Sequence, residues 1–493
     1  MNLSEHSSIL IVVIPLIASF VNIFLNFLQR KLCYPFFVLV LGICVALSID
    51  ILCQVINFGV LRYRLGGWMA PWGIEYVIDH LNAYLIVIVS SMSFIVAIYS
   101  KDSVKKEISK AKLPYFYSTY LLLATGLFGI TVTGDIFNLY VFLEIASLSA
   151  YALVAIGEKR SVLASFHYII MGTIGACFYL LGVGYIYIIT GSLNISDLTR
   201  LLPSLYESKV TLTALAFFIV GIGIKIALFP LHRWLPDSYT FAPSAVSAFA
   251  SATVTKVGIY VLIRISFTLF EPKFLIEMTP LSNILIWWST IAIFFGSLIA
   301  IGQKDFKRTL SYILIAEIGY MVFGINIGNK EGFIGAVLHI LNDSLMIGCL
   351  FMIAGGVFYR IGSRNIEDFN GLNRNMPITM AAFTIAALSM IGIPPTAGFF
   401  SKWYLIVGAV KAGYLVSAVI LIFSSLVNAL IFFRILEKIY FTKNENTPMY
   451  NFRELPISMM IPIVITALAI LIIGLYSGEI ISSVIKFSLP KGF

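Results

Sequence analysis

The chain alternates between long apolar runs and short polar segments. It divides into about fourteen apolar spans of ~20 residues, the length that crosses the hydrocarbon core of a bilayer. No polar stretch between the spans is long enough for a separate soluble domain. The pattern therefore predicts an all-α polytopic membrane protein that forms a single membrane domain, residues 1–493. The predicted spans lie near residues 9–28, 34–56, 80–99, 115–133, 136–156, 163–190, 211–239, 243–263, 282–301, 309–327, 332–358, 376–412, 413–433 and 455–476.

Two of these spans are interrupted by proline and glycine. The seventh contains Pro230 and Pro236, and the twelfth contains Gly392 followed by Pro394 and Pro395. A proline inside a helix removes a backbone donor. Non-helical backbone at membrane depth is tolerated only where it is buried in protein or lines a cavity. Interrupted spans in corresponding places of two halves are typical of transporters with inverted repeats, although simple kinking is the alternative.

The breaks predict two inverted five-helix repeats, each with one discontinuous helix. We expect three N-terminal helices, a first repeat, a second repeat and a C-terminal helix, at residues 1–112, 113–270, 280–440 and 450–493. The segment 195–203 is predicted either as a short amphipathic helix at the membrane surface or as a plain loop.

Composition and charge agree with this class. Hydrophobic residues make up 59% of the chain and charged residues 12%, and the net charge is +9. Roughly two thirds of the loop lysines and arginines fall on one predicted face, which the positive-inside rule makes cytoplasmic, with both termini outside the cell membrane. The basic excess thus indicates topology, not nucleic-acid binding. The five cysteines form no CxxC pair and are predicted as buried apolar filler, without metal or disulfide.

Ionisable residues inside the apolar spans are the candidates for function. A charge at the bilayer centre costs roughly 2.5–3.5 kcal/mol on insertion scales, so each is a functional candidate by default. A chain that keeps six of them at membrane depth is predicted to move protons or cations. They are Glu144, Lys225, Lys256, Glu317, Asp343 and Lys402.

The segments around these charges and breaks carry recognisable motifs, in residues 134–154, 225–237, 242–248, 255–258, 307–312, 318–320 and 392–399. Across residues 80–435 they resemble the proton-conducting antiporter-like subunits of respiratory complex I, membrane-bound hydrogenases and Mrp-type cation/proton antiporters. The lead-in Gly134-Asp-Ile-Phe-Asn-Leu-Tyr140 is most similar to that of the D subunit of Mrp-type antiporters or its hydrogenase relative. Lys402 stands where the quinone-reductase subunit of comparable length typically has glutamate, which argues against that paralogue.

The resemblance implies a proton path. Glu144 and Lys225 would form a switchable ion pair at its start. Lys256 would be the central relay and Lys402 the terminal proton donor or acceptor. The alternatives are a static ion pair for the first two and a position near the membrane interface for each of the other lysines. His232 is predicted either to pass protons from the cytoplasmic side or to be a surface histidine.

One helix departs from the family pattern. His339, Asp343 and Ile347 lie at i, i+4 and i+8, one stripe of a helix, where relatives often carry His, His and Lys. Ile347 is therefore expected to leave a gap between the central and terminal lysines. Glu317 and Asp343 are predicted to form an acidic cluster that holds a cation or a shared proton. His167 is predicted either to modulate the first ion pair or to be a hydrogen-bonded residue at a helix start.

These features together predict the proton-translocating subunit of a multisubunit Na+/H+ or K+/H+ antiporter. The alternatives are a proton-pumping membrane subunit of a redox complex, of the hydrogenase or NADH:quinone oxidoreductase type, and a scaffold subunit that has lost conduction. No cofactor is expected, because no motif suits iron–sulfur, flavin or nickel. The expected partners are other membrane subunits, the lipid bilayer, H+ and Na+ or K+.

Overall fold

The computed structural model describes residues 6–157, 159–441 and 454–490, and it is almost entirely helical. Helices satisfy their own backbone groups, which is what long apolar runs in lipid require. The N-terminal helices are α1 (Ser7–Gln29), α2 (Cys33–Phe58) and α3 (His80–Glu107). The next are α4 (Leu113–Val132), α5 (Ile136–Ala155), α6 (Lys159–Thr190), α7 (Ile195–Leu201), α8 (Lys209–Lys225), α9 (Trp234–Phe241) and α10 (Ser244–Arg264). The remainder are α11 (Leu281–Ile301), α12 (Phe306–Asn326), α13 (Lys330–Ile361), α14 (Leu372–Asn375), α15 (Pro377–Ile391), α16 (Ala397–Lys411), α17 (Leu415–Tyr440), α18 (Ile457–Leu475) and α19 (Ser477–Ser483).

Within the described ranges, eleven helical segments are long and apolar enough to cross a membrane. One of them, Ser7–Phe58, is 52 residues long and contains both α1 and α2. The helices α8, α9, α15 and α16 are each too short to be counted, because the two breaks divide them. The all-helical membrane fold is confirmed. The count of about fourteen spans, the two inverted repeats and the boundaries between them stay predictions.

Both predicted helix breaks are present. The first separates α8 from α9 between Lys225 and Trp234, and the second separates α15 from α16 between Ile391 and Ala397. The prediction that Pro236 interrupts the first of these helices is wrong. It lies in the first turn of α9, where backbone N–H groups have no intrahelical partner to lose.

The centre of the bundle is formed by α10, α12 and α13, whose residues are nearly all buried. The long helix α13 packs against α3, α10, α12, α15, α16 and α18. By contrast, α1, α2, α6, α11 and α17 expose many large apolar side chains on their outer faces. A charged side chain on α10, α12 or α13 is therefore held inside protein, away from the outer surface.

The same kind of backbone contact is found at the start of α5 and at the start of α12. Asp135 forms an isolated antiparallel bridge with Asn194, and Asp305 forms one with Asn365. Each aspartate side chain also caps its helix by accepting a backbone N–H, and each asparagine caps the short helix that follows it. The recurrence agrees with the predicted repeats.

Two connections have regular structure. The segment between α2 and α3 contains a β-hairpin that the hydrophobic pattern does not predict, in which β1 (Leu61–Arg64) pairs antiparallel with β2 (Glu75–Ile78). The helix predicted over 195–203 is present as α7, followed by a 3-10 turn at Leu202–Leu205. The plain-loop alternative for that segment is therefore wrong.

The cysteine prediction is correct for three residues and wrong for two. Cys33, Cys44 and Cys349 are buried, whereas Cys53 and Cys177 are exposed. The outer face of a membrane helix is as apolar as its inner face, so an apolar neighbourhood in the sequence does not fix which way a side chain points.

Candidate functional site

The first ion pair joins α5 to α8. Lys225, the last residue of α8, donates from Nζ to Glu144 Oε1 at 3.1 Å and to Ser147 Oγ at 2.8 Å. Glu144 and Ser147 are three residues apart on α5 and so share one face of that helix. Because Lys225 directly precedes the helix break, the ammonium lies where the backbone changes direction. The contact predicted between Glu144 and Lys225 is present.

A small cavity of about 40 Å³ lies beside this pair. Lys225 and Ser147 line one side of it, and Val254, Val257 and Gly258 of α10 line another. Its volume exceeds the roughly 10–15 Å³ that one water requires, although most of its lining is apolar. The cavity separates the first pair from the helix that carries Lys256.

The second ion pair is fully buried between α10 and α13. Lys256 Nζ lies 2.5 Å from Asp343 Oδ2, and neither side chain is exposed. The ammonium also donates to Ser251 O at 2.7 Å. Neither carboxylate oxygen of Asp343 has a partner in hydrogen-bond geometry among the described residues, so the close contact is an ion pair without a well-directed hydrogen bond. The side chain of Lys256 therefore does not extend to the protein surface.

A third group of charges surrounds Glu317 on α12. Its Oε2 lies 2.6 Å from His339 Nε2, and its Oε1 lies 3.4 Å from Lys402 Nζ. Asn428 of α17 donates to the same Oε1 at 3.4 Å. Four helices, α12, α13, α16 and α17, thus bring one acid, two bases and an amide to a single buried point.

The helix break beside this group supplies an acceptor for the terminal lysine. Lys402 Nζ donates to Met390 O at 2.6 Å and lies 4.9 Å from the centre of the Tyr320 ring. The carbonyl of Met390 would bond the N–H four residues later in a continuous helix, but that residue is Pro394, which has none. The proline therefore leaves a carbonyl free at depth, and Lys402 uses it. The side chain of Lys402 is buried among these groups, and its position relative to the membrane interface stays a prediction.

Glu317 and Asp343, predicted to form an acidic cluster, each contact a different base. Asp343 contacts Lys256, whereas Glu317 contacts His339 and Lys402. His339 and Asp343 are one turn apart on α13 and face different neighbouring helices, so each carboxylate has its own base. Acids and bases alternate from Lys256 to Lys402, but no hydrogen bond or ion pair of the described residues joins Asp343 to His339, so the gap expected at Ile347 stays a prediction.

The two remaining candidate histidines lie apart from this line of charges. His232 lies in the segment between α8 and α9, its ring is stacked on Phe229 at 4.8 Å, and its Nδ1 has no hydrogen-bond partner among the described residues. His167 is exposed on α6, with a ring contact to Phe166. No described contact joins His167 to Glu144, so its modulating role stays a prediction.

Comparison with known proteins identifies the family. Residues 133–428 match the family described as NADH:quinone oxidoreductase/Mrp antiporter, TM. The chain belongs to this family. The matched segment includes all six charges at membrane depth and both helix breaks, so the resemblance drawn from the motifs is confirmed.

Relatives within the NADH:quinone oxidoreductase/Mrp antiporter family are of more than one kind. The N subunit of the NADH-quinone oxidoreductase of Desulforudis audaxviator (strain MP104C) is 44% identical, over 99% of this chain and 99% of its own length. The D subunit of the Na(+)/H(+) antiporter of Alkalihalophilus pseudofirmus is 34% identical, over 76% of this chain and 75% of its own. A chain of the membrane-bound sulfane sulfur reductase, an archaeal respiratory membrane complex, superposes with a TM-score of 0.90 at 32% identity, covering 97% of this chain and 96% of that one. These matches do not favour the antiporter relatives over the oxidoreductase relatives, and so they do not support the expectation that Lys402 excludes an oxidoreductase subunit.

The sequence did not reveal the uncharged residues of the site. They are Ser147, Tyr320, Ser401 and Asn428. Ser401 bonds His339 Nδ1 at 2.9 Å and orients the imidazole toward Glu317. Asn428 interrupts an apolar run of α17, which is the same signal that identified the charges. Serine carries no such signal, because it is common in membrane helices for packing reasons.

Proposed function

We propose that this chain translocates protons across the membrane through its line of alternating acids and bases. The observation that carries the proposal is the buried sequence Lys256, Asp343, His339, Glu317, Lys402 along α13 and its neighbours. Replacing a buried ion pair by well-packed apolar residues is often neutral or stabilising, so stability alone does not explain why several charges are kept at this depth. Buried ionisable groups in membrane helices mark ion and proton pathways.

The first pair supplies the switch. While Lys225 contacts Glu144, the ammonium balances the charge of the carboxylate. If Lys225 moves away at the adjoining helix break, Glu144 becomes free to take a proton. The cavity of about 40 Å³ then provides room for a water between Lys225 and α10. A change of charge at one pair also alters the electrostatic attraction within the neighbouring pair.

The second part of the proposal concerns the kind of complex in which the chain translocates protons. The motifs of the sequence favour a Na+/H+ or K+/H+ antiporter in the cell membrane, with the lysine- and arginine-rich face inside and both termini outside. The 44% identity to an oxidoreductase protein and the 32% identity to a respiratory complex favour a redox-driven pump. Purifying the intact complex and identifying its components decides between them. Small membrane subunits alone support the antiporter, and co-purifying iron–sulfur proteins support the redox pump.

The proton path itself is tested in membrane vesicles that contain the native complex. Glu144→Ala and Lys225→Ala are each expected to reduce proton flux about 100-fold, the scale of a lost proton-transfer group. Lys209→Ala is the matched control, because it removes an exposed lysine from the opposite end of α8. If both test variants keep the control's flux, the proposal fails.

A second comparison separates a switch from a static tie between helices. The double variant Glu144→Gln with Lys225→Gln keeps polar groups on both helices and removes both charges. A static tie predicts that the double variant conducts normally once the complex assembles. A switch predicts that flux stays as low as in the single variants.

A further inference from the structure

A separate cavity lies among the helix ends of the lysine- and arginine-rich face. Its volume is about 750 Å³, and its lining comes from α3, α6, α12, α13 and the turn between α9 and α10. None of its lining residues belongs to the line of charges described above. Four cations, Lys106, Arg160, Lys307 and Arg364, line it together with one carboxylate, Glu107. We call this cavity the basic pocket.

Lys307 is the buried cation of the basic pocket. Its side chain is only 1% exposed, and its Nζ donates to Ala242 O at 3.2 Å. No described carboxylate forms an ion pair with it. Buried charges in proteins are normally paired, and a single carbonyl does not neutralise an ammonium. Lys307 therefore has no ion-pair partner among the described residues; Glu107 and Asp305 attract it only from beyond ion-pair distance, and Arg364 repels it.

Glu107, the carboxylate in the lining, already accepts hydrogen bonds from two serines. Glu107 Oε2 accepts hydrogen bonds from Ser244 N at 2.8 Å and from Ser244 Oγ at 3.1 Å. Its Oε1 accepts one from Ser103 Oγ at 2.9 Å. Glu107 thus caps the start of α10, and it forms no ion pair with the lysines or arginines of the pocket.

The two arginines are held in place by other groups. Arg364 pairs with Asp305 at 3.0 Å and lies over the ring of Phe241 at 5.4 Å. Arg160 lies over the same ring at 5.7 Å and forms no ion pair with a described carboxylate. An aromatic face holds a guanidinium without using its hydrogen-bond donors. Arg160 therefore keeps its donors for a ligand.

We propose that the basic pocket binds a phosphate-bearing anion, with Lys307 and Arg160 as its principal contacts. Arginine and lysine are the side chains that recognise phosphate, arginine by paired hydrogen bonds and lysine as a point charge. Basic pockets between membrane helices on the cytoplasmic side are typical sites for anionic headgroups. The same chemistry serves the phosphodiester of an anionic lipid or a free phosphate. This proposal does not depend on the proton path.

The test uses the whole complex, delipidated in mild detergent and followed by native mass spectrometry. Phosphatidylglycerol is one probe and inorganic phosphate is the other. Arg160→Gln is the principal variant, because an exposed side chain without a described ion pair can be changed without disturbing the fold. Lys307→Gln is the second. The double variant Lys110→Gln with Lys112→Gln is the control, since it removes charge from the same face outside the pocket.

The expected result is that at least one probe binds and that Arg160→Gln weakens its binding about 10- to 100-fold, the effect of losing one hydrogen bond to a charged group. Selective binding of phosphatidylglycerol identifies a lipid headgroup as the ligand, and competition by inorganic phosphate identifies free phosphate. Either supports the pocket. Binding of neither probe overturns the proposal, as does an equal loss in the principal variant and the control.

Discussion

Asp343→Asn is the substitution for which the structure makes the sharpest prediction. It removes the negative partner of Lys256 while keeping the shape of the side chain, and both groups are fully buried at a separation of 2.5 Å. Removing one member of a buried ion pair costs about 3–5 kcal/mol, because the other charge is left uncompensated. We expect the lower end, about 3 kcal/mol, because the unfolded state of a membrane protein finds other polar partners.

Two assays on the purified complex check this prediction. Thermal unfolding in detergent should show a large loss of stability for Asp343→Asn. The double variant Lys256→Gln with Asp343→Asn should recover most of it, because neither residue is then charged. Proton flux in proteoliposomes should be low in both variants, since the relay is broken in each. Wild-type stability of the single variant, or restored flux in the double variant, would refute the role given to this pair.

Three further substitutions test other parts of the site. Ser401→Ala removes the hydrogen bond to His339 Nδ1, and calorimetry should show a loss of about 1 kcal/mol, with reduced proton flux because the imidazole is no longer oriented. Ile347→Lys places an unpaired ammonium at a fully buried position, so a thermal-shift assay should report at least ~3 kcal/mol of destabilisation, and proton flux should not rise. A stable variant with higher flux would contradict this expectation and would show that the proton path is incomplete without a lysine at this position. Gly398→Ala would place a Cβ 2.0 Å from Ser389 O, so it should reduce the free energy of unfolding by about 1–3 kcal/mol and lower the thermal midpoint, and an unchanged midpoint would contradict the packing of α15 on α16.

The fold was predictable as far as it depends on local properties. Apolar length and proline position determine where a helix crosses lipid and where it breaks, which is why the breaks near Pro230 and Pro394 could be located from the sequence. The hairpin Leu61–Arg64 with Glu75–Ile78 was not predictable, because its register depends on contacts between segments more than ten residues apart.

The site was predictable in its members and less so in its pairings. Charged residues inside long apolar runs are easily recognised in the sequence, and the alignment of His339 and Asp343 on one face of a helix follows from helix periodicity. Which helix faces each of them depends on the rotation of α10, α12 and α13 about their axes. Apolar residues surround these helices on every side, so hydrophobic patterning does not fix that rotation. For this reason the sequence suggested a shared cluster of Glu317 with Asp343, whereas the structure gives each acid a separate base.

The most direct test of the proton path is the flux carried by Glu317→Gln in the reconstituted native complex. Glu317 contacts His339, Lys402 and Asn428, so it is the acid on which the terminal half of the path depends. Glu331→Gln is the matched control, because Glu331 pairs with Lys411 near the start of α13, away from the bundle centre. We predict a loss of about 100-fold for Glu317→Gln in an assembled complex and wild-type flux for the control. Wild-type flux in both variants would contradict a path through these side chains.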